Sequence, residues 1–155
     1  MGFRATRNLV FTGTYGLTDA KFNSFEGLDV TGDAIPDPDL ASELNFVRVP
    51  KHTGNLAATY SLPLPAGNRL DFRTSAYFVS SQYLDDLNRL REPSYTLLDA
   101  SVTFASANDR WRLSLFGKNL TDENYAFYSA SLGALGLIEL PGAPRTFGVR
   151  LNLDY

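Results

Sequence analysis

Residues 147–155 read FGVRLNLDY and alternate without a break. Phe147, Val149, Leu151, Leu153 and Tyr155 fall on one side of an extended chain, and Gly148, Arg150, Asn152 and Asp154 on the other. Successive strand side chains point to opposite faces, so a period of two describes a strand with one apolar and one wet face. The pattern runs to the last residue, which is aromatic. The final strand of a soluble domain ordinarily frays into polar residues. This ending therefore predicts an environment that holds the strand to its last side chain.

The same alternation recurs upstream. Leu9, Phe11, Gly13, Tyr15 and Leu17 oppose Thr12, Thr14, Gly16 and Thr18, in a strand expected to run to about Phe25. Leu56, Ala58, Tyr60 and Leu62 oppose Asn55, Ala57, Thr59 and Ser61. Leu70, Phe72, Thr74, Ala76 and Phe78 oppose Asp71, Arg73, Ser75 and Tyr77, continuing towards Tyr83. Thr96, Leu98, Ala100, Val102 and Phe104 oppose Tyr95, Leu97, Asp99, Ser101 and Thr103. Trp111, Leu113, Leu115 and Gly117 oppose Arg112, Ser114, Phe116 and Lys118, and the phase is lost at Asn119-Leu120, where a bulge or bend is expected. With the terminal strand this gives about six strands of roughly ten residues, the length of a tilted transmembrane β-strand.

The connections alternate as well. Residues 63–67 and 106–109 are short and rich in turn formers, whereas 26–50, 84–93 and 129–144 are long and aperiodic. Outer-membrane barrels have this asymmetry, with tight periplasmic turns and extended outer loops. The expected fold is all-β, an antiparallel meander that stays open because about six strands fall short of the roughly eight in the smallest closed barrels.

Composition narrows the function classes. The 155 residues carry 44% hydrophobic and 13% aromatic side chains, yet no run approaches the apolar length of a membrane helix. A net charge of -3 offers no basic stripe for nucleic acid. The absence of cysteine removes disulfides and thiol catalysis. The opening MGFRATRNLVF lacks the continuous apolar segment of a secretory signal.

Three stretches carry a family resemblance: YTLLD at 95–99, WRLSLFGKNLTDENY at 111–125 and PRTFGVRL at 144–151, with VPKHTGNLAATY at 49–60 upstream. In this order they resemble the end of the barrel of TonB-dependent outer-membrane receptors. The resemblance implies that residues 1–155 are a C-terminal segment of a barrel of about 22 strands. The plug domain, TonB box and signal peptide of such a receptor lie outside this sequence. A truncated frame, a split gene or a partial copy of a longer gene is the expectation. The implied location is the bacterial outer membrane, and the implied function is energy-coupled uptake of a ferric siderophore or similar scarce nutrient. Implied partners are outer-membrane lipid, the barrel-assembly machinery, TonB through the N-terminal part of the receptor, and the nutrient ligand. Phe147, Val149, Leu151, Leu153 and Tyr155 would form the assembly signal, although the family ending is typically Phe.

No catalytic constellation, cofactor motif or metal site emerges, so the chain is not expected to be an enzyme. His52 is the lone histidine, without a nucleophile motif such as G-x-S-x-G nearby, and reads as a surface residue. Asp33, Asp37 and Asp39 lack calcium-loop spacing and read, like Asp85-Asp86, as a solvated loop. Gly13 and Gly16 lie inside a strand, not before a helix, so they do not form a dinucleotide loop. The wet-face charges Asp71, Arg73, Asp99, Arg112, Lys118 and Arg150 read as a hydrated lumen wall with cross-strand ion pairs, or alternatively as contacts to a plug or passing ligand. Tyr83, Tyr125, Phe127 and Tyr128 near the long-loop ends are candidate ligand contacts, or members of an interfacial aromatic belt. Two competing architectures are a soluble all-β sandwich that binds ligands and a barrel assembled from several chains.

Overall fold

The computed structural model describes residues 2–23, 29–131 and 136–154. Seven strands form one antiparallel sheet: β1 (Gly2–Arg4), β2 (Leu9–Leu17), β3 (His52–Pro63), β4 (Arg69–Val79), β7 (Tyr95–Ala105), β8 (Trp111–Lys118) and β11 (Thr146–Leu153). They pair in that order, and the two ends of the sheet do not meet. Two small hairpins stand in the long connections: β5 (Gln82–Tyr83) with β6 (Arg91–Glu92), and β9 (Ala126–Ser131) with β10 (Leu137–Pro141). One short helix, α1 (Pro38–Ser42), interrupts the first long connection.

The register places every apolar set on one face. Phe11 faces Ala58, Tyr60 faces Phe72, Phe72 faces Val102, Val102 faces Leu115, and Leu115 faces Val149. This face has no protein layer against it: Val149 is 67% exposed, Leu56 61% and Leu151 58%. Among the described residues the buried hydrophobics are Ala57, Val79, Leu84, Ala105 and Ala126, and none of the larger side chains is fully buried. A sandwich would bury such a face against a second sheet. The soluble-sandwich alternative fails on this observation.

Several boundaries differ from the sequence reading. β1 adds a seventh, very short strand, joined to β2 by a turn in which the Thr6 hydroxyl accepts the Asn8 and Leu9 amides at 3.2 and 3.1 Å. β2 ends at Leu17, not near Phe25, which lies outside the described residues. β4 ends at Val79 and Tyr83 belongs to the separate β5, although the Ser80 amide still donates to the His52 carbonyl at 2.9 Å. The long connections read as aperiodic contain paired strands, since hairpins this short carry too few residues to show a period.

The expected irregularity at Asn119-Leu120 is a one-residue bulge. Ala100 faces Gly117, whereas the Leu98 carbonyl accepts the Leu120 amide at 2.8 Å, so three β8-side positions span two on β7. Asn119 takes the extra position in a left-handed conformation, φ 49°, which asparagine tolerates better than most residues.

At the short-turn end, residues 64–68 and 106–110 are tied together. The Ala107 amide donates to the Asn68 side-chain carbonyl at 3.0 Å. The Trp111 ring lies tilted against Phe104 with centroids 5.0 Å apart, on the apolar face beside these turns. An amphipathic indole at that height is what an aromatic girdle requires.

Candidate functional site

Three long connections leave the same end of the sheet: residues 18–51, 80–94 and 119–145. They are bound to one another. Asn88, held at φ 54°, accepts the Asn45 amide at 2.7 Å and returns a bond from its Nδ2 to the Asn45 carbonyl at 3.0 Å. Val47 forms an isolated parallel bridge to Tyr83, and the Arg48 amide donates to the Tyr83 carbonyl at 2.9 Å. The Arg48 guanidinium then lies 5.1 Å from the centre of the Tyr128 ring, which joins the first connection to the third.

The third connection is closed at its base by a polar knot around Asn119, which is only 4% exposed. Its amide donates to Asp99 Oδ1 at 2.9 Å, its Nδ2 donates to the Glu123 and Ala143 carbonyls at 2.9 and 3.1 Å, and its Oδ1 accepts the Glu123 amide at 2.9 Å. Beside it Arg145 pairs with Asp122 at 3.1 Å. Tyr125 stacks on Tyr95 at 4.5 Å between centroids, and its hydroxyl accepts the Ala143 amide at 3.2 Å. A Cβ on Gly142 would fall inside the Tyr125 ring, so the chain passes there only as glycine.

The four candidate aromatics therefore separate. Tyr83 and Tyr128 meet through Arg48, Tyr125 belongs to the knot, and Phe127 stands 66% exposed. Arg48 and the Asn45–Asn88 clasp were missed in the sequence. Their signal is conformational, φ 57° at Arg48 and 54° at Asn88, and no residue pattern announces it.

Glu92 is the buried carboxylate of this region, at 8% exposed. Burial pushes its pKa up, the charges of Glu139 and Glu123 push in the same direction, and a hydrogen bond from the Ala126 amide opposes them. In the first connection, by contrast, amide bonds from Gly32 and Ala34 hold the exposed Asp29 below the usual carboxylate range. Asp37 likewise accepts the Val30 and Thr31 amides at 3.0 and 3.1 Å, and Asp33 accepts that of Ile35 at 2.9 Å. These carboxylates fold the loop onto itself.

His52 lies at the long-loop end, where its Nδ1 and the Tyr15 hydroxyl are 2.7 Å apart. On the wet face, one ion pair crosses from β8 to the end of β11, as expected, and one lies within a strand. Asp71 pairs with Arg69 of its own strand and Arg112 with Asp154, both at 2.9 Å and both near the short-turn end. Of the tail residues, Phe147, Val149, Leu151 and Leu153 are 55–72% exposed on the apolar face, and Tyr155 lies outside the described residues.

An open meander with one bare apolar face, one polar face, tight turns at one end and interlocked loops at the other is a section of outer-membrane barrel wall. The comparisons give the family. The model of the TonB dependent receptor-like β-barrel matches residues 2–120, and the chain belongs to that family of bacterial outer-membrane receptors. It is 29% identical over 83 residues to the pesticin receptor of Yersinia pestis, a match covering 54% of this chain and 12% of that protein.

Among solved structures, the ferric yersiniabactin uptake receptor of Yersinia pestis superposes with a TM-score of 0.80 at 21% identity, over 99% of this chain and 22% of that one. The ferric preacinetobactin receptor of Acinetobacter baumannii gives 0.67 at 22% identity, over 97% and 20%. At such identities these structures establish the fold. This chain spans about a fifth of their length. The family is one of receptors, not of enzymes.

Proposed function

We propose that residues 1–155 form C-terminal wall strands of a TonB-dependent receptor that, when complete, takes up a ferric siderophore with energy delivered through TonB to its N-terminal part. The observation that carries this reading is the one-sidedness of the sheet: an unbroken apolar face for lipid, and a polar face backed by three interlocked loops at a single end. The named relatives support the ligand class, since two take their names from ferric siderophores. In this reading the loops face the cell exterior, and Phe127, Tyr83 and Tyr128 contribute to ligand capture. The tail from Phe147 to Tyr155 presents its apolar side to lipid and to the barrel-assembly machinery.

The test is uptake of iron-labelled siderophores by iron-starved cells carrying the complete receptor gene, with and without functional TonB. TonB-dependent uptake of one siderophore class is the expected result. Uptake that proceeds equally without TonB would overturn the reading.

A further inference from the structure

The three long connections do more than touch in pairs, because their contacts close into a circuit. The Arg48 amide of the first connection donates to the Tyr83 carbonyl of the second at 2.9 Å. Tyr83 in β5 pairs with Arg91 in β6, and the next residue, the buried Glu92, accepts the Ala126 amide of the third connection. Further along β9, the Tyr128 ring carries the Arg48 guanidinium 5.1 Å from its centre, which returns the path to its start.

A circuit behaves differently from a chain of contacts. Each connection is held by both of the others, so freeing any one requires two separate contacts to break together. Once two links hold three segments, the third forms between groups already tethered near each other, and its closure cost is small. The links are also adjacent along the backbone. Val47, beside Arg48, bridges Tyr83, and Leu84, beside Tyr83, is buried with its amide bonded to the Leu90 carbonyl. A backbone swing that took Arg48 off Tyr128 would therefore also break its bond to Tyr83.

Backbone strain falls on the same contacts. Arg48 sits at φ 57°, and Asn88, whose side chain clasps Asn45, sits at φ 54°. A left-handed arginine is unfavourable, whereas glycine adopts that conformation freely. Strain of this kind persists where the surrounding contacts over-determine it. At Arg48 the side chain supplies the reason, since glycine would keep the bend and lose the guanidinium that reaches the third connection.

We propose that the three connections form one cap that opens as a unit, with Arg48 as the residue that positions Tyr83 and Tyr128 against each other. The cap deepens the uptake reading and rests on it only for its use in ligand capture, since cooperative opening is measured without a ligand.

The test is hydrogen exchange, read by mass spectrometry, on the complete receptor folded in detergent micelles, with heat-modifiable migration confirmed for every variant. Arg48→Asn is the decisive variant, because asparagine tolerates the left-handed backbone and keeps the amide while losing the guanidinium. Exchange quickens about two- to fivefold, the worth of an exposed cation–π contact, and by a similar factor in peptides from all three connections. Tyr128→Leu reproduces the effect, and the double variant exceeds either single one by less than about twofold, because both remove the same link. Arg48→Lys, which keeps a cation for the ring, restores most of the protection. Failure of siderophore uptake alongside cooperative exchange would count against the uptake reading alone. No acceleration in Arg48→Asn, acceleration that spares any of the three connections, or full additivity in the double variant would overturn the single cap.

Discussion

The amide of Asn119 donates to the carboxylate of Asp99 at 2.9 Å, joining the bulge after β8 to the strand beside it. Around this bond converge all three sequence motifs from the C-terminal half. Tyr95 and Asp99 come from the first, Asn119, Asp122 and Tyr125 from the second, and Arg145 from the third. The motif residues thus hold the two feet of a long loop together.

Replacing Asn119 by Ala removes three side-chain hydrogen bonds at a nearly buried site and places a less tolerant residue at positive φ. The expected loss is about 2–4 kcal/mol, combining unsatisfied buried groups with backbone strain. Urea unfolding of the complete barrel in lipid measures it. A change below about 0.5 kcal/mol, the size expected of an ordinary surface substitution, would show that the knot contributes nothing to stability.

Leu56 and Asn55 are adjacent in β3 and point to opposite faces. Leu56→Arg puts a charge on the exposed apolar face near mid-strand, and should cost about 2–4 kcal/mol of assembly if that face meets the bilayer midplane. Asn55→Arg adds the same charge to the wet face and should assemble at close to normal levels. Folded receptor in outer-membrane fractions, resolved by heat-modifiable migration, reads both. Equal damage from the two substitutions would contradict the lipid assignment.

The sheet was legible in the sequence because strand alternation is strict and each apolar set has a different solvent from its wet neighbours. Every face assignment along the six long strands agrees with the register, including the break at Asn119-Leu120. Loop organisation was not legible. Tyr125 reads in the sequence as a candidate ligand contact or a belt residue, and its packing on Tyr95 over a glycine has no signal there, because a long-range ring contact leaves no local period. Arg112 and Asp71 pair, but with Asp154 and Arg69, since alternation fixes which face a charge occupies and not which neighbour it reaches.

The raised pKa of Glu92 predicts that docking of the β9–β10 hairpin depends on pH. That folded-state pKa is raised by burial and by Glu139 and Glu123, so the folded arrangement binds the proton more readily than the unfolded chain. The associated stability is fully present below the ordinary glutamate pKa and declines as pH rises through the raised value. Hydrogen exchange at the amides of the β9–β10 ladder should therefore show less protection at about pH 8 than at about pH 4, after correction for intrinsic rates. Glu92→Gln, which cannot ionise, should flatten that difference; an unchanged profile in the variant would assign the effect elsewhere.

The tail offers a separate test of assembly. Asp154 pairs with Arg112 at 2.9 Å, and its amide bonds to the Arg110 carbonyl at 2.8 Å, which anchors β11 to the tight-turn end of β8. Deleting Asp154 and Tyr155 from the complete receptor should lower the amount of folded barrel in the outer membrane. Receptor that does assemble should keep its ligand affinity, because the loops lie at the opposite end of the strands. Normal membrane levels after the deletion would show that the tail is not the assembly signal.

Phe127 and Tyr125 are two residues apart and have opposite prospects. Phe127 is 66% exposed at the end of the hairpin base, while Tyr125 is half-buried against Tyr95. An exposed ring among interlocked loops is free to stack on a planar chelate, and its removal should weaken ferric-siderophore binding by roughly tenfold with little effect on unfolding. Tyr125→Ala should instead cost about 2–4 kcal/mol of stability through the lost stack and the orphaned Ala143 amide, lowering affinity only as the loop loosens. Ligand titration and urea unfolding of both variants in the complete receptor separate these effects. Unchanged affinity in Phe127→Ala would remove that ring from the capture site and leave Tyr83 and Tyr128, joined through Arg48, as the remaining aromatic contacts.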